Sequence, residues 1–322
     1  MTERSFVVSA SYDQSLRVYD VARGKQIGCV THADPQINHL ALTDTGGQLG
    51  VACWQRAKIY DMLTLSPNPV VVLDGLVRNV TAIGFQSEGR WLYTGGEDNS
   101  CRVYDVRGGT QLVCQRIFET TAAVSSVALH PNQVELFLAD TGGNVYCWDL
   151  RADAHDSLPV PFANTHKQFI SRLAVHPNGS LLAAVTNRGN LLRWNLTVGE
   201  GEESDELAKG DGSRFTRPTP FHAHSTYALS CRFSPRGDLL VTTSAEELVR
   251  LFDGISNAPL QELHECGSWV WDAAISDDSS HLVLGNAECK AHLVNISTGQ
   301  IINNYEGHAK PITSVVLHDA IC

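Results

Sequence analysis

A short phrase of alternating apolar and polar residues recurs along the chain and ends on an aromatic residue followed by Asp or Asn. The copies lie at residues 17–20, 58–61, 102–105, 146–149, 192–195, 250–253 and 292–295, the last with Val in the aromatic position. Neighbouring copies end 41, 44, 44, 46, 58 and 42 residues apart. A period in the forties with this ending is typical of repeats that each form a sheet of four short strands.

A second column of apolar residues, upstream of each phrase, predicts the first strand of the same sheet. These strands begin near residues 37, 80, 124, 170, 228, 270 and 312, and their first two apolar residues are three positions apart. Because a regular strand alternates with a period of two, this spacing predicts a β-bulge near the start of each. Turn sequences such as His176-Pro-Asn-Gly179 follow. The chain is therefore predicted to be an all-β, seven-bladed WD-repeat β-propeller, a single domain over residues 1–322.

The positions of the two chain ends within the repeat predict how the ring of blades closes. Residues 6–11 have the pattern of a second strand, and residues 312–318 have the pattern of a first strand. Neither end completes a blade, but together they would. Pairing of the N- and C-terminal strands would also remove two free sheet edges, which otherwise promote aggregation.

One segment interrupts the repeat and accounts for the 58-residue step. Residues 199–213 are acidic, rich in Gly and almost free of apolar side chains. Such a segment cannot bury enough surface to offset the entropy cost of ordering, so we expect a flexible acidic loop at about 199–216. Two roles stay open for it: a tolerated surface insertion, or a loop for docking or phosphorylation.

Composition narrows the possible partners and the compartment. The net charge of −11 argues against a nucleic-acid-binding protein, which normally carries a basic stripe. No apolar run approaches the roughly 18 residues that a membrane span needs, and the N-terminus enters a strand pattern at once, without a secretory signal. Nine cysteines lack paired or zinc-like spacing. They indicate buried apolar residues in a reducing, cytoplasmic environment.

The histidines fall mostly at fixed positions of the repeat. Those before first strands are His32, His166, His224 and His308, and those in the following turns are His130 and His176. We expect the first group to bond to acids in the turns between second and third strands, such as Asp13, Asp98 or Asp140. This role is structural.

Nothing in the sequence predicts catalysis. The chain has no Gly-x-Ser-x-Gly elbow and no glycine loop that opens a helix. The inner circle of the ring, mostly Ser and Thr, is expected to lack converging acids or bases. We therefore expect no enzyme activity, no metal, no cofactor and no small-molecule substrate in the central channel.

The starts of the first strands predict a binding surface on one rim of the ring. The leading residues are Gln36, Asn79, Ala123, Phe169, Tyr227, Trp269 and Pro311, and two positions further in are Asn38, Thr81, Ser125, Ser171, Leu229, Trp271 and Thr313. Tyr227, Leu229, Trp269 and Trp271 form an apolar arc, and both indoles cannot easily be buried so near the end of one strand. Exposed aromatic patches mark protein interfaces, where truncating a Trp or Tyr anchor often costs more than about 2 kcal/mol.

Several stretches outside the propeller consensus resemble the GβL-type WD-repeat subunit of target-of-rapamycin (TOR) kinase complexes. They are residues 89–98, 114–118, 129–136 and 227–235, and the likeness continues in register from 11–13 to 305–308. The resemblance implies a non-catalytic scaffold that binds and stabilises the kinase domain of TOR. It also implies contact with other TOR complex subunits and a role in growth and nutrient signalling and in actin organisation.

The resemblance further implies partner-binding residues. The family's kinase-facing Gln-x-Asn, Tyr-Ala-Leu and Trp-x-Trp are matched by Gln36 and Asn38, by Tyr227 and Leu229, and by Trp269 and Trp271. Most of these positions belong to the apolar arc. The chain departs from the family at Asp272, where a Gly would be usual, and in its longer acidic loop.

One rival interpretation comes from Trp148-Asp-Leu-Arg151. This sequence resembles the motif by which WD-repeat substrate receptors of cullin-type ubiquitin ligases dock on their adaptor. It arises easily by chance in a WD propeller. Co-purification of a ligase adaptor instead of a large kinase would favour this alternative.

Overall fold

The computed structural model describes residues 4–31, 34–109, 112–162, 168–196, 215, 217–218, 220–264 and 267–319. Within them the chain forms seven four-stranded antiparallel sheets, the blades of the ring. None of the described segments forms a helix of the length and apolarity that crossing a membrane requires.

The first three blades follow the predicted order of strands. Blade 1 contains β28 (Ile312–His318), β1 (Phe6–Ser11), β2 (Ser15–Asp20) and β3 (Lys25–Thr31). Blade 2 contains β4 (Ile37–Leu42), β5 (Gln48–Cys53), β6 (Arg56–Asp61) and β7 (Val71–Leu73). Blade 3 contains β8 (Val80–Phe85), β9 (Trp91–Gly96), β10 (Ser100–Asp105) and β11 (Val113–Glu119).

The other four blades repeat this arrangement. Blade 4 contains β12 (Val124–Leu129), β13 (Glu135–Asp140), β14 (Val145–Asp149) and β15 (Ala154–Leu158). Blade 5 contains β16 (Ile170–Val175), β17 (Leu181–Thr186), β18 (Asn190–Asn195) and β19 (Phe221–His222). Blade 6 contains β20 (Ala228–Phe233), β21 (Leu239–Ser244), β22 (Val249–Asp253) and β23 (Pro259–Leu263). Blade 7 contains β24 (Val270–Ile275), β25 (His281–Asn286), β26 (Ala291–Asn295) and β27 (Ile301–Tyr305).

The first strands of the blades surround a central channel and close on themselves. Each contacts the first strands of both neighbours, from β4 through β24 to β28 and back to β4. In blade 1, β28 pairs antiparallel with β1, with His318 opposite Phe6 and Val316 opposite Val8. The predicted seven-bladed propeller and its closure by the terminal strands are thus confirmed.

The apolar core is divided among the junctions between neighbouring blades. Seven clusters of buried side chains each join two adjacent blades. At the junction of blades 4 and 5, Phe137 and Trp194 pack in one cluster with Phe215. Phe215 lies near the end of the predicted acidic loop, whose residues 199–214 and 216 are outside the described residues. Each blade is therefore stabilised by its two neighbours, as in other repeat proteins.

A β-bulge interrupts the start of every first strand, as the three-residue apolar spacing predicted. The bulged residues are Asn38, Thr81, Ser125, Ser171, Leu229, Trp271 and Thr313. The next residue of each strand therefore points into the central channel.

The Asp that ends the repeated phrase forms the turn between the third and fourth strands. The carboxylate of Asp149 accepts a hydrogen bond of 2.7 Å from the backbone N–H of Arg151. Asp61 and Asp253 accept equivalent bonds from the second residue after them. Asp and Asn favour this local bond, which explains why the phrase ends on them.

The histidines in the turns that follow the first strands link neighbouring blades. The Nε2 atoms of His130 and His176 lie 2.9 Å from the backbone oxygens of Gly179 and Gly237. Gly237 has φ 80°, and a Cβ at this position would lie 2.5 Å from the His176 ring. The glycine is therefore required both by the turn and by the approach of the histidine.

Two histidines that precede first strands contact acids, as predicted. The His308 ring lies 3.0 Å from the Asp13 carboxylate and 2.7 Å from the Ser9 hydroxyl. The ring of His224 lies 3.7 Å from the Glu246 carboxylate and 2.8 Å from the Thr242 hydroxyl. These bonds fix the entry into the first strand.

Two of the predicted acidic partners have other roles. Asp98 binds the Arg102 guanidinium at 2.8 Å, and Asp140 accepts a 3.0 Å bond from the Thr121 hydroxyl. Thr121 comes just before its first strand, so a hydroxyl here does what histidine does in blade 1. His32 and His166 lie outside the described residues.

Candidate interaction surface

One end of the ring, here called the upper face, carries the starts of the first strands and the turns between second and third strands. The same backbone bond joins these two features in blade after blade. The carbonyl of Tyr227 accepts from Ala245 at 2.8 Å, and that of Trp269 accepts from Ala287 at 2.9 Å. The backbone of the residue that leads a first strand is therefore held beside a turn.

The predicted apolar arc lies on this face and is accessible. Tyr227 and Trp269 are 56% and 51% exposed, while Leu229 and Trp271 are half-buried. The two indoles pack against each other, with ring centroids 6.4 Å apart. The arc is thus a preformed aromatic surface; its role in binding stays a prediction.

Two further aromatic side chains extend the arc beyond what the first strands indicated. Tyr12 and Trp271 pack edge to face, with ring centroids 6.1 Å apart. Trp54 is 42% exposed, and its backbone N–H donates to the carbonyl of Gln36. Both residues directly follow a second strand, the position that Ala245 holds in blade 6. Alignment of this turn position, in addition to the first strands, would have found them.

The extended arc therefore spans four consecutive blades. Tyr227 and Leu229 lie on blade 6, Trp269 and Trp271 on blade 7, Tyr12 on blade 1, and Gln36, Asn38 and Trp54 on blade 2. All six sequence-predicted residues belong to it. Blade 1 separates the tryptophan pair from Gln36 and contributes Tyr12, which packs on Trp271.

Asn38 is held by an amide chain that also involves Asn79. Its Nδ2 donates to the side-chain oxygen of Asn79 at 2.5 Å and to the carbonyl of Val80 at 2.7 Å. Asn79 in turn donates to Glu97 at 3.2 Å. Asn79 is therefore buried and does not project from the rim as expected. The Asn38 side-chain oxygen is the group that this arrangement leaves for a partner.

The polar bulged residues of blades 2, 3 and 4, which are Asn38, Thr81 and Ser125, join each of these blades to the next. The hydroxyls of Thr81 and Ser125 donate at 2.7 Å to the carbonyls of Val124 and Ile170 in the following blade. Leu229, at the same position, has no donor. Trp271 has one, but its buried Nε1 lacks a hydrogen-bond partner within the described residues. Blades 6 and 7 thus present apolar surface where blades 2, 3 and 4 have an interblade hydrogen bond.

The expectation that the central channel lacks converging acids and bases is wrong. Asp272 is fully buried there and accepts hydrogen bonds from Arg232 at 3.0 Å and from Ser314 at 2.7 Å. Arg172 and His39 occupy the same strand position as Asp272 in their own blades. The bulge explains the error, because it turns the residue after the expected position into the channel.

The electrostatics of this cluster follow from burial and from the two arginines. Burial alone would raise the pKa of Asp272, but Arg232 and Arg172 hold it well below its usual range. Burial, then Arg172 and Arg232, lower the pKa of His39 well below its usual value. Its Nδ1 accepts a bond from the backbone N–H of Ile83, so the neutral ring carries its proton on Nε2.

The Trp-Asp-Leu-Arg motif at 148–151 is accounted for by folding. The indole of Trp148 is buried and donates to Asp153 at 3.0 Å. The carboxylate of Asp149 forms the turn described above. Neither feature points to an adaptor of a ubiquitin ligase.

Among the described residues, no three His, Cys, Asp or Glu side chains are placed to hold a metal ion. Burial raises the pKa of Cys53 and Cys231 to about 12, so these thiols stay protonated.

Comparison with known proteins gives a consistent result. A family model described as "WD domain, G-beta repeat" matches residues 68–105 and 216–253. "Target of rapamycin complex subunit LST8" from Bos taurus is 35% identical over 98% of this chain and 95% of its own length. "Protein LST8 homolog" from Drosophila melanogaster is 33% identical over 99% of this chain and 98% of its own. The LST8 of Saccharomyces cerevisiae is 33% identical over 97% of this chain and 98% of its own.

Proposed function

The chain belongs to the LST8 family of WD-repeat proteins, and on that premise we propose that it is a non-catalytic scaffold subunit of a TOR complex. The names of its relatives support membership of such a complex. The finer part of the proposal is that the extended arc on the upper face binds the kinase domain of TOR and stabilises it, in the cytoplasm.

The observation that carries this proposal is the exposed aromatic arc on a closed ring. Tyr227 and Trp269 are more than half exposed although they are large and apolar. A monomeric protein rarely maintains such a patch without a partner. Trp and Tyr are also the residues that most often dominate the binding energy of an interface.

The ring favours binding because its upper face is already in place. The backbone bonds at Tyr227 and Trp269 fix the backbone at both positions before any partner arrives, and Trp269 also packs on Trp271. Little conformational entropy is then lost on the scaffold's side, so more of the interaction energy remains to order the partner. An extension of the kinase domain held across blades 6, 7, 1 and 2 would thereby be stabilised.

A variant with Trp269→Ala and Trp271→Ala tests the proposal. Loss of the aromatic anchors should weaken binding to the TOR kinase of the same organism by at least about 2 kcal/mol, or about thirty-fold. The measurement is co-purification of the co-expressed kinase, followed by titration of the purified components. Leu63→Ala is the matched control, because Leu63 is 75% exposed but lies in a turn at the opposite end of the ring.

Each outcome has a defined meaning. Retention of the kinase by the double variant at wild-type affinity would refute the arc as the binding surface. Unfolding of the double variant would leave Trp269→Ala alone as the test, since that side chain is the more exposed of the two. Recovery of a ubiquitin-ligase adaptor in place of the kinase would support the alternative function.

A further inference from the structure

A groove of about 350 Å³ lies between blades 3 and 4 on the lower face, the end of the ring opposite the aromatic arc. Four guanidinium groups line it, together with one carboxylate, that of Asp105. The four belong to Arg90, Arg107, Arg116 and Arg151. The whole chain has 35 acidic and 24 basic residues, so the lining of this groove has the opposite balance of charge.

Turns and a β-bulge bring the four arginines together. Arg90 directly precedes β9, and Arg107 and Arg151 are each the second residue after the Asp that ends the repeated phrase. Gln115 is the extra residue of a β-bulge in β11, and both it and Arg116 line the groove. The bulge therefore directs two consecutive side chains of an outer strand to the same site.

The equivalent groove between blades 7 and 1 provides an internal comparison. Val103 lies opposite Arg116 in blade 3, and Leu293 lies opposite Asn303 at the same strand positions in blade 7. Leu293 and Asn303 line that second groove. Its charged lining residues, however, are mostly acidic: Asp277, Asp278, Asp319 and Arg236.

The arginines are also absent from these positions in most of the other repeats. An Arg as the second residue after the repeated phrase occurs only in blades 3 and 4, and an Arg directly before a second strand occurs only in blade 3. Because the other blades form the same turns without arginine, the requirements of the fold do not explain why four of them meet in one groove.

Three of these arginines have carboxylate partners, but the ion pairs are open to solvent. The pairs are Arg90 with Glu88, Arg107 with Asp105 and Arg116 with Asp153, at 2.7, 2.6 and 3.4 Å. The side chains of Arg90 and Arg107 are 63% and 71% exposed. Exposed pairs contribute little free energy, so a carboxylate of a ligand can replace the internal one. Arg151 is exposed and forms no ion pair with another described residue.

Between the arginines the groove has an apolar floor. Trp91, Val134 and Leu150 line it and are half-buried, and Val103 below them is buried. An apolar side chain placed on this floor would lie among the guanidinium groups at the rim.

We propose that this groove binds an acidic segment of a partner protein, in which carboxylates flank one apolar side chain. Guanidinium groups form charge-assisted and often bidentate hydrogen bonds with carboxylates. Nucleic acid fits the groove less well, because a continuous polyanion would extend beyond it along a chain with a net charge of −11. The groove lies on the face opposite the aromatic arc and does not depend on the proposed function.

Fluorescence anisotropy with the purified full-length chain tests the groove. The probe is a labelled twelve-residue peptide with glutamates on both sides of a central leucine, and the comparison probe has glutamine in place of every glutamate. We expect one saturable site for the glutamate peptide, with an affinity that falls as the salt concentration rises. The glutamine peptide should show no saturable binding.

The combined change Arg107→Gln and Arg151→Gln removes two exposed charges from the rim and should weaken binding of the glutamate peptide at least about tenfold. The matched control combines Arg23→Gln and Arg236→Gln. It makes the same change of net charge at exposed turns of the lower face outside the groove, and it should bind the peptide like the wild type.

Any of four results would overturn the proposal: no saturable binding of the glutamate peptide, equal binding of the glutamine peptide, unchanged affinity in the groove variant, or an equal loss in the control variant. A single-stranded DNA of twelve nucleotides that binds as tightly as the peptide would also overturn it, in favour of a nucleic-acid site. If the groove variant melts at a lower temperature than the wild type, Arg151→Gln alone replaces it and should still weaken peptide binding severalfold.

Discussion

Single residues of this ring are held in unusual electrostatic states by burial. His224 is fully buried beside Arg250, and these two influences lower its pKa to about 4 although Glu246 opposes them. The folded protein therefore keeps the His224 imidazole neutral at a pH where the unfolded chain would protonate it. Burial also lowers the pKa of His308.

The pH dependence of stability should show this effect. Because the folded pKa of His224 lies below its unfolded value of about 6.5, acid favours the unfolded state between those two values. Between pH 7.5 and 5 this one group should reduce the free energy of unfolding by about 2 kcal/mol. Urea unfolding at both pH values measures the loss. His224→Gln should flatten the dependence by that amount, and an unchanged slope would contradict a buried neutral His224.

Asp13 affects the stability of the folded protein in a separate pH range. Burial alone would raise its pKa, but bonds from Ser15, Ala309 and His308 lower it to about 2. Its stabilising contribution is therefore present above pH 4 and is lost only as the pH falls towards 2. The two windows can be separated by measurement.

The sequence predicted the roles of single residues only where all the residues involved lie on one strand. Trp269 and Trp271 are two positions apart on β24, so their shared arc was visible in the sequence. Asp272 and Arg232 lie on different blades, and nothing local to either residue indicates that they meet. Tyr12 and Trp54 were missed for a related reason, because they enter the arc from turns.

At the scale of elements, the bulged first strand is the feature that recurs in all seven blades. In blades 3 and 4 the bulge lets the side chain reach the neighbouring blade, where the hydroxyls of Thr81 and Ser125 donate to backbone carbonyls. The apolar spacing of the sequence predicted the bulge, since alternation alone cannot place two buried residues three apart. It could not predict the interblade bonds, which depend on how closely adjacent blades approach.

Ser125→Ala should show what one such bond contributes. Its hydroxyl donates at 2.7 Å to the carbonyl of Ile170, and the change leaves that carbonyl without this donor. We expect a loss of about 1–2 kcal/mol in the free energy of unfolding, measured by urea denaturation. Ser171→Ala is the control, because this serine has the same position in the next blade but no side-chain hydrogen bond within the described residues. Its effect should stay within about 0.5 kcal/mol, and equal effects of the two changes would refute the interblade bond.

At the scale of the whole molecule, stability depends on closure of the ring by β1 and β28. In β28, Ile312 and Val315 are fully buried and contribute to the junction of blades 7 and 1. Without β28, one edge of β1 and the inner face of that junction would be open to solvent. Exposed edges of this kind pair with other chains.

Truncation after Gly307 should therefore give an aggregating protein without a cooperative melting transition. Removing β28 also removes His308, which holds Asp13 and Ser9 in blade 1. Light scattering and differential scanning calorimetry measure the two effects. Truncation after Asp319 keeps β28 and should behave like the wild type. A soluble, cooperatively melting chain from the shorter truncation would contradict closure by the terminal strands.

Closure by strands that lie about 300 residues apart also has a consequence for biosynthesis. A ribosome adds roughly 5–20 residues per second, so β1 must wait for about 15–60 s before its partner emerges. During that time the nascent chain presents the unpaired edge of β1 to solvent. Blade 1 can therefore be completed only after β28 has been synthesised, and a chaperone that covers this edge would determine how much of the newly made chain reaches the native ring.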